Sequence, residues 1–82
     1  MFCFQFCLMH KVRNEEVMQL FGKNVHEIRK QRGFTQEYLA EEANISQVQV
    51  ARIESGKLNT SISTVASLAR ALNVDPGEFF KK

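Results

Sequence analysis

The sequence predicts a compact all-α fold, and three observations support this prediction. Apolar residues recur at helical spacing from Val17 onward. A capping side chain precedes each of these runs, at Asn14, Thr35, Ser46 and Ser61. The 82 residues, of which 44% are hydrophobic, are enough to bury one modest core but not two. We therefore expect one helical domain over residues 14–82, preceded by an arm of residues 1–13.

The first helix is predicted to be long, from the Asn14 cap to Gly33. Its first turn contains Glu15 and Glu16, and negative charge is favourable there because the helix dipole is positive at that end. The early apolar side chains of this helix need cover, which a partner chain could supply. They belong to Val17, Met18, Leu20 and Phe21.

Two short helices joined by a tight turn are predicted between Thr35 and Gly56. Asn44 lies where the chain must turn, and asparagine tolerates the left-handed backbone conformation that ends many helices. Ser46 follows, with Gln49 three residues later, and this pair matches the Ser-x-x-Gln capping box of a helix start. The second helix should therefore begin after Ser46 and end near Gly56.

The second of these short helices has one apolar and one polar side. The apolar side should be buried and comprises Ile45, Val50 and Ile53. The opposite side presents Gln47, Val48, Gln49 and Arg52. Glutamine can form two hydrogen bonds with adenine, arginine can do so with guanine, and valine can contact a thymine methyl group. These side chains therefore suit the major groove of DNA.

The C-terminal part is predicted to form two more helices. Ser61 should cap a fourth helix that runs to about Leu72, and Pro76 suits the first position of a short fifth helix. Phe79 should be buried, whereas Phe80 is either an interface residue or an exposed aromatic without a role. The predicted core comprises Val25, Ile28, Phe34, Leu39, Ala40, Ala43, Ile45, Val50, Ile53, Ile62, Val65, Leu68, Ala69, Leu72, Val74 and Phe79.

The formal net charge is only +2, so any attraction for DNA must come from the placement of the charges. Three cationic residues cluster at the end of the first helix: Arg29, Lys30 and Arg32. Two more, Arg52 and Lys57, flank the second short helix. The simpler alternative is that this cluster is only a solvated surface.

Four segments together resemble the lambda-repressor-like (Xre-type) helix-turn-helix regulators of bacteria and phages. They are IRKQRGFTQ at residues 28–36, LA at 39–40, IESG at 53–56 and LARALNV at 68–74. The resemblance covers residues 25–79. It implies a five-helix domain that binds an operator as a homodimer, with the helix after Ser46 acting as the recognition helix in the major groove.

The resemblance also implies roles for individual residues. Base-reading positions are occupied by Gln47, Val48 and Arg52. The candidates for contacts to DNA phosphates are Gln36, Gln49, Ser55, Lys57, Asn59 and Thr60. An ion pair between Arg29 and Glu54 is expected to tie the first helix to the recognition helix. The chain departs from the family pattern at Asn44, often a glycine, and at Val48, often polar, which shifts specificity towards methyl contacts or DNA shape.

Residues 1–13 have a different composition from the rest of the chain. Three phenylalanines alternate within residues 1–9 as they would in a strand. The segment lacks the basic start and cleavage site of a signal peptide and is too short to span a membrane. Two interpretations stay open. Either the arm lies across a partner or the first helix, or it is upstream sequence with a later start at Met9 or Met18.

No metal, cofactor or enzymatic activity is expected. Cys3, Cys7 and His10 supply three potential ligands, whereas a structural zinc site normally needs four. His26 lies among polar residues of the first helix and is expected to be a surface residue and not a functional one. No nucleophile is placed beside a base, and no pair of carboxylates is predicted in a dry pocket.

We therefore expect a sequence-specific, double-stranded-DNA-binding transcriptional regulator that acts as a homodimer on a two-fold symmetric operator. The resemblance implies an autoregulating repressor or a restriction-modification controller. The alternative is an antitoxin-like module that uses the same scaffold to bind a protein partner. Either protein is expected in the cytoplasm, the regulator at the nucleoid, with no membrane partner.

Overall fold

The computed structural model describes residues 14–82, which form four α-helices and a terminal 3₁₀ helix. The helices are α1 (Glu15–Arg32), α2 (Gln36–Ala43), α3 (Gln47–Glu54), α4 (Ile62–Leu72) and the 3₁₀ helix (Pro76–Phe80). The predicted all-α class is confirmed, although the fifth predicted helix is 3₁₀. No helix of residues 14–82 is long and apolar enough to cross a membrane. The predictions for the arm, including those for Cys3, Cys7 and His10, lie outside the described residues.

Each α-helix begins at the predicted cap. The Asn14 side chain accepts a hydrogen bond from the backbone N–H of Val17 at 3.0 Å, and the side chains of Thr35 and Ser61 accept equivalent bonds. Three helices end at a residue in the left-handed conformation: Gly33, Asn44 and Asn73. The predicted turn at Asn44 is therefore confirmed, with φ of 60°.

The core lies where α1, α2, α3, α4 and the 3₁₀ helix meet. Its largest fully buried side chains are Val25, Leu39, Val50, Ile53, Leu68, Leu72 and Phe79. Five predicted core residues pack at its edge and are only partly buried: Ile28, Phe34, Ile45, Val65 and Val74. The prediction for Ile62 is wrong, because this side chain is 86% exposed. Ile62 continues the apolar side of α4 by one turn, but it is the first residue of the helix and extends past the core.

Residues of the same chain cover part of the apolar surface on the first turns of α1. Met18 and Phe21 are buried. The Phe21 ring meets that of Phe79 edge to face, with centroids 5.3 Å apart, and stacks on Phe80 at 5.6 Å. The sequence could not show this cover because the 3₁₀ helix lies almost sixty residues further along. Val17 remains 41% exposed.

The predicted cationic cluster at the end of α1 is divided by the fold. Arg29 is buried, while Lys30 is exposed. The Nε of Arg32 donates to the backbone oxygen of Leu72 at 2.8 Å, at the C-terminus of α4. A cation is favourable there because the carbonyl end of a helix is negative. Arg32 therefore ties α4 to α1 while it remains an exposed cation.

Candidate nucleic-acid interface

The N-terminal end of α3 is fixed by its own side chains. The Oγ of Ser46 accepts a hydrogen bond from the backbone N–H of Gln49, and the Oε1 of Gln49 accepts one from the backbone N–H of Ser46, both at 3.1 Å. This is the predicted capping box, and it satisfies two backbone donors that the helix leaves free. It uses the amide oxygen of Gln49 and leaves the amide nitrogen without a partner among residues 14–82.

The outer face of α3 presents the three predicted base-reading side chains. Gln47, Val48 and Arg52 are exposed, and Val48 is 60% exposed. Within the described residues, neither the amide of Gln47 nor the guanidinium of Arg52 forms a hydrogen bond. Their polar groups are therefore free to bind an external partner, and Val48 adds an exposed apolar side chain to the same face.

The C-terminal end of α3 is held by the carboxylate of Glu54, which receives hydrogen bonds from α1 and α2. Arg29 donates to it twice, from Nε at 2.6 Å and from Nη2 at 3.1 Å. His26 Nδ1 and Gln36 Nε2 lie 2.9 and 3.1 Å from the same oxygen, Oε1. Arg29 also donates to the backbone oxygen of Phe34 at 2.8 Å. We call His26, Arg29, Gln36 and Glu54 the Glu54 cluster.

Electrostatics keep the Glu54 carboxyl ionised although it is buried. Burial raises its pKa, but hydrogen bonds from Arg29, His26 and Gln36, with the charge of Arg29, outweigh burial and hold the pKa below its ordinary value of 4.5. The predicted partners Arg29 and Glu54 thus lie in direct contact. The side chain of His26, which was expected at the surface, is 45% exposed, and its ring also belongs to the Glu54 cluster.

Backbone contact between α1 and α3 reinforces the Glu54 cluster. A Cβ atom at Gly22 would overlap the backbone oxygen of Ile53 and would lie 3.2 Å from that of Glu54. Gly56, just after α3, has φ of 78°, and a Cβ there would lie 2.9 Å from the Cγ and 3.2 Å from the Cα of Gln19. Small residues at both places let the first helix touch the backbone at the end of α3.

The candidate phosphate-binding residues fall into three groups. Gln36 lies at the start of α2, bound to Glu54 through one of its amide hydrogens. Gln49 belongs to the capping box, and its free nitrogen remains available. The others follow α3: Ser55, whose hydroxyl donates to the Arg52 backbone oxygen, and then Lys57, Asn59 and Thr60, of which Lys57 and Asn59 are exposed.

Comparison with known proteins shows which family this chain resembles. The model of the helix-turn-helix family HTH_3 matches residues 25–79. The immunity repressor protein of Bacillus phage phi105 is 43% identical over 53 residues, which are 65% of this chain and 37% of that protein. The transcriptional regulator PuuR of Escherichia coli is 33% identical over 61 residues, 74% of this chain and 33% of that protein. This chain therefore spans only about a third of these two relatives.

A shorter relative is matched over most of its length. The HTH-type transcriptional regulator y4dJ of Sinorhizobium fredii is 32% identical over 59 residues, which are 72% of this chain and 77% of that protein. These named relatives are regulators and not enzymes, in agreement with the sequence prediction.

Solved structures share the fold. The restriction-modification controller protein C.AhdI from Aeromonas hydrophila superposes with a TM-score of 0.75 and 33% identity, over 77% of this chain and 96% of that one. The restriction-modification controller protein C.Esp1396I gives a TM-score of 0.72 and 26% identity, over 78% and 82% of the two chains. The chain therefore belongs to the HTH_3 family of helix-turn-helix transcriptional regulators.

Proposed function

We propose that the chain recognises specific double-stranded DNA with α3 and acts as a homodimer on a two-fold symmetric operator. The observation that carries this proposal is the outer face of α3. It presents two free hydrogen-bonding side chains and an exposed valine on a helix that is fixed at both ends. Such a face offers little to a catalytic reaction but much to the edges of stacked bases.

Each base-reading residue has a distinct role in this proposal. Gln47 pairs with an adenine and Arg52 with a guanine, in each case through two hydrogen bonds. Val48 contacts a thymine methyl group. Because only two of the three side chains form hydrogen bonds, DNA shape and flexibility contribute the remaining specificity.

The phosphate contacts come from both sides of the recognition helix. Gln36 at the start of α2 and Gln49 in the first turn of α3 contact one part of the DNA backbone. The loop after α3 meets another part through Ser55, Lys57, Asn59 and Thr60. Because such contacts release condensed cations from DNA, affinity should fall steeply as salt rises.

An apolar surface formed by α1, α4, the loop before α4 and the 3₁₀ helix is the proposed dimer interface. We call it the apolar face. It comprises Val17, Leu58, Ile62, Val65 and Phe80. Ile62, Phe80 and Val17 are 86%, 43% and 41% exposed, an unfavourable arrangement for a solitary domain. A second copy placed on this face would create the two-fold axis that an operator with two half-sites requires, with recognition helices about 34 Å apart.

The interface proposal is tested by placing a charge on the apolar face. Ile62→Glu should shift the protein from dimer to monomer in sedimentation experiments and weaken operator binding, because a carboxylate would be buried without a partner. Ser63→Glu, at an exposed position that lies about 100° from Ile62 around the same helix, is the matched control and should remain dimeric. An Ile62→Glu protein that stays dimeric would exclude this face as the interface.

The names of the relatives support a role as an autoregulating repressor or a restriction-modification controller. One relative is a phage immunity repressor and one structural neighbour is a controller protein. A regulator of either kind works in the cytoplasm, at the nucleoid. A reporter fused to the chain's own promoter would measure autoregulation, with the sign of the response separating repression from activation.

The decisive experiment is selection of bound duplexes from a random pool. The proposal expects a palindromic consensus with half-site centres one helical turn apart. Gln47→Ala should then cost about 1–3 kcal/mol at one base position per half-site, whereas Gln31→Ala on the exposed side of α1 should change nothing. Loss of affinity that is equal for operator and random DNA would contradict base reading by Gln47. Failure to select any duplex would favour the protein-binding alternative.

A further inference from the structure

We propose that His26 is an additional contact to the DNA backbone and that its protonation makes DNA binding depend on pH. The inference rests on the proposed function, because it requires a DNA phosphate beside the start of α2. His26 is not among the phosphate-binding residues predicted from the sequence. The structural basis is the position of its ring, which bridges the buried Glu54 cluster and the solvent.

The Glu54 carboxylate fixes the state of one ring nitrogen. Glu54 is ionised and can only accept, so Nδ1 of His26, 2.9 Å from its Oε1, must carry a hydrogen. The Nη2 of Arg29, 3.3 Å from the same Nδ1, then makes a contact and no hydrogen bond. Since Nδ1 holds its proton in either charge state, the neutral ring has a bare Nε2.

The other ring nitrogen therefore decides the interaction with a phosphate. Within residues 14–82, Nε2 of His26 has no hydrogen-bond partner, and the side chain is 45% exposed. In the neutral ring, Nε2 carries a lone pair, which repels a phosphate oxygen. After a second proton is bound, Nε2 becomes a donor and the ring is a cation. His26 can therefore contact a phosphate only in its charged form.

Gln36 shows where that phosphate would lie. Its Nε2 and the Nδ1 of His26 contact the same oxygen of Glu54, so the two side chains are near neighbours. Gln36 uses one amide hydrogen for Glu54 and retains a second one for a phosphate. A DNA backbone segment that contacts Gln36 would therefore pass near the His26 side chain.

The charged groups around this ring come from α1 and α3. Among residues 14–82, Arg29 from α1 and Glu54 from α3 contact the ring and neutralise each other, and α2 contributes the neutral Gln36. On its own helix, Lys23 and Lys30 lie about one turn before and after His26. A bound phosphate adds negative charge, so DNA binding should be accompanied by proton uptake at His26.

The test compares DNA affinity at about pH 6 and pH 8, a range in which histidine changes charge. It uses the full chain and the selected operator duplex over a series of salt concentrations. The wild-type protein should bind several-fold more tightly at the lower pH. Its plot of log affinity against log salt should also be steeper there by about one unit for each half-site, because one further phosphate is neutralised.

Two variants separate this role from a structural one. His26→Gln retains an amide donor for Glu54 but cannot become charged, so the differences in affinity and salt slope between the two pH values should disappear. His10→Gln, which removes the chain's other histidine, is the matched control and should keep both differences. His26→Lys should bind with the steep salt slope at both pH values.

Three outcomes would overturn the inference. The first is an unchanged pH difference in His26→Gln. The second is a His26→Gln protein that loses thermal stability and affinity equally at both pH values, which would indicate a purely structural role. The third is wild-type binding without any pH difference, which would reject the His26 contact but leave the proposed function intact. Absence of DNA binding at both pH values would instead reject the proposed function and this inference together.

Discussion

The two ends of helix α3 are held by different kinds of contact. At the N-terminal end, Ser46 and Gln49 are only three residues apart and bond to each other at the surface. At the C-terminal end, Glu54 is bonded to Gln36, Arg29 and His26, which are 18, 25 and 28 residues away in the sequence. The first end is fixed locally, and the second is fixed by the tertiary structure.

The two ends therefore determine different properties of α3: its orientation in the domain and the side chains that it exposes. The buried C-terminal end determines how the helix leaves the body of the domain, because it is attached to both α1 and α2. The N-terminal end carries Gln47 and Val48, which can be exchanged for other residues without disturbing the core. A change at the buried end should therefore damage the whole fold, whereas a change at the exposed end should mainly affect DNA binding.

The largest effect should come from Glu54→Ala. Removal of the carboxylate leaves the guanidinium of Arg29, whose side chain is only 9% exposed, buried without its charged partner. Breaking one side of a buried ion pair costs about 3–5 kcal/mol. Urea denaturation would measure this loss, with Glu37→Ala at an exposed position as the control. A loss below about 1 kcal/mol, typical of a surface pair, would show that the buried end does not depend on Glu54.

A smaller loss is expected from Gly22→Ala, which tests the backbone contact at the same end. The new methyl group would overlap the backbone oxygen of Ile53, so α1 and α3 must move apart. Overpacking of this kind costs about 1–3 kcal/mol. Gly77→Ala is the control, because a Cβ there meets no atom within 4 Å. A Gly22→Ala protein as stable as the control would show that the contact tolerates separation of the helices.

Removal of the local cap should have a smaller effect on stability but a specific effect on binding. Ser46→Ala removes the acceptor for the Gln49 backbone N–H, at a cost of about 1 kcal/mol. Ser61→Ala removes the equivalent cap of α4 and should cost about the same. Only Ser46→Ala should weaken operator binding beyond its effect on stability, as measured by titration of folded protein. Equal affinities of the two variants would contradict this assignment.

The same contrast explains which features the sequence could predict. Helix starts at Asn14, Thr35, Ser46 and Ser61 were predictable, because a cap and its partner lie within three residues of each other. The helix end at Leu72 and the turn at Asn44 follow from equally local rules. The exposed face of α3 was also predictable, since helical periodicity alone separates Gln47 from Ile53.

Features that depend on partners distant in the sequence could not be predicted from local sequence rules. The role of His26 depends on Glu54, and the cover of Phe21 depends on Phe79 and Phe80. The pairing of Arg29 with Glu54 came from family resemblance, because no local rule links these positions. The spacing of His26 and Arg29 by three residues places both on one face of α1. That spacing was the only available signal, and it does not indicate what the face contacts.

The smallest expected effect is the contribution of Glu54 ionisation to stability in acid. The folded-state pKa of Glu54 lies below the ordinary value of 4.5 that applies to the unfolded chain. Its contribution is therefore complete above about pH 4.5 and is lost as the pH falls through the folded-state value. Because one proton is involved, the slope cannot exceed about 1.4 kcal/mol per pH unit. Urea denaturation between about pH 6 and pH 3 would measure it.

Glu54→Gln cannot ionise and should lose stability less steeply below pH 4.5 than the wild type. Glu41→Gln, at an exposed position, should follow the wild-type slope. If all three proteins lost stability in parallel, the buried end of α3 would be held by hydrogen bonding and packing without a contribution from the charge of Glu54.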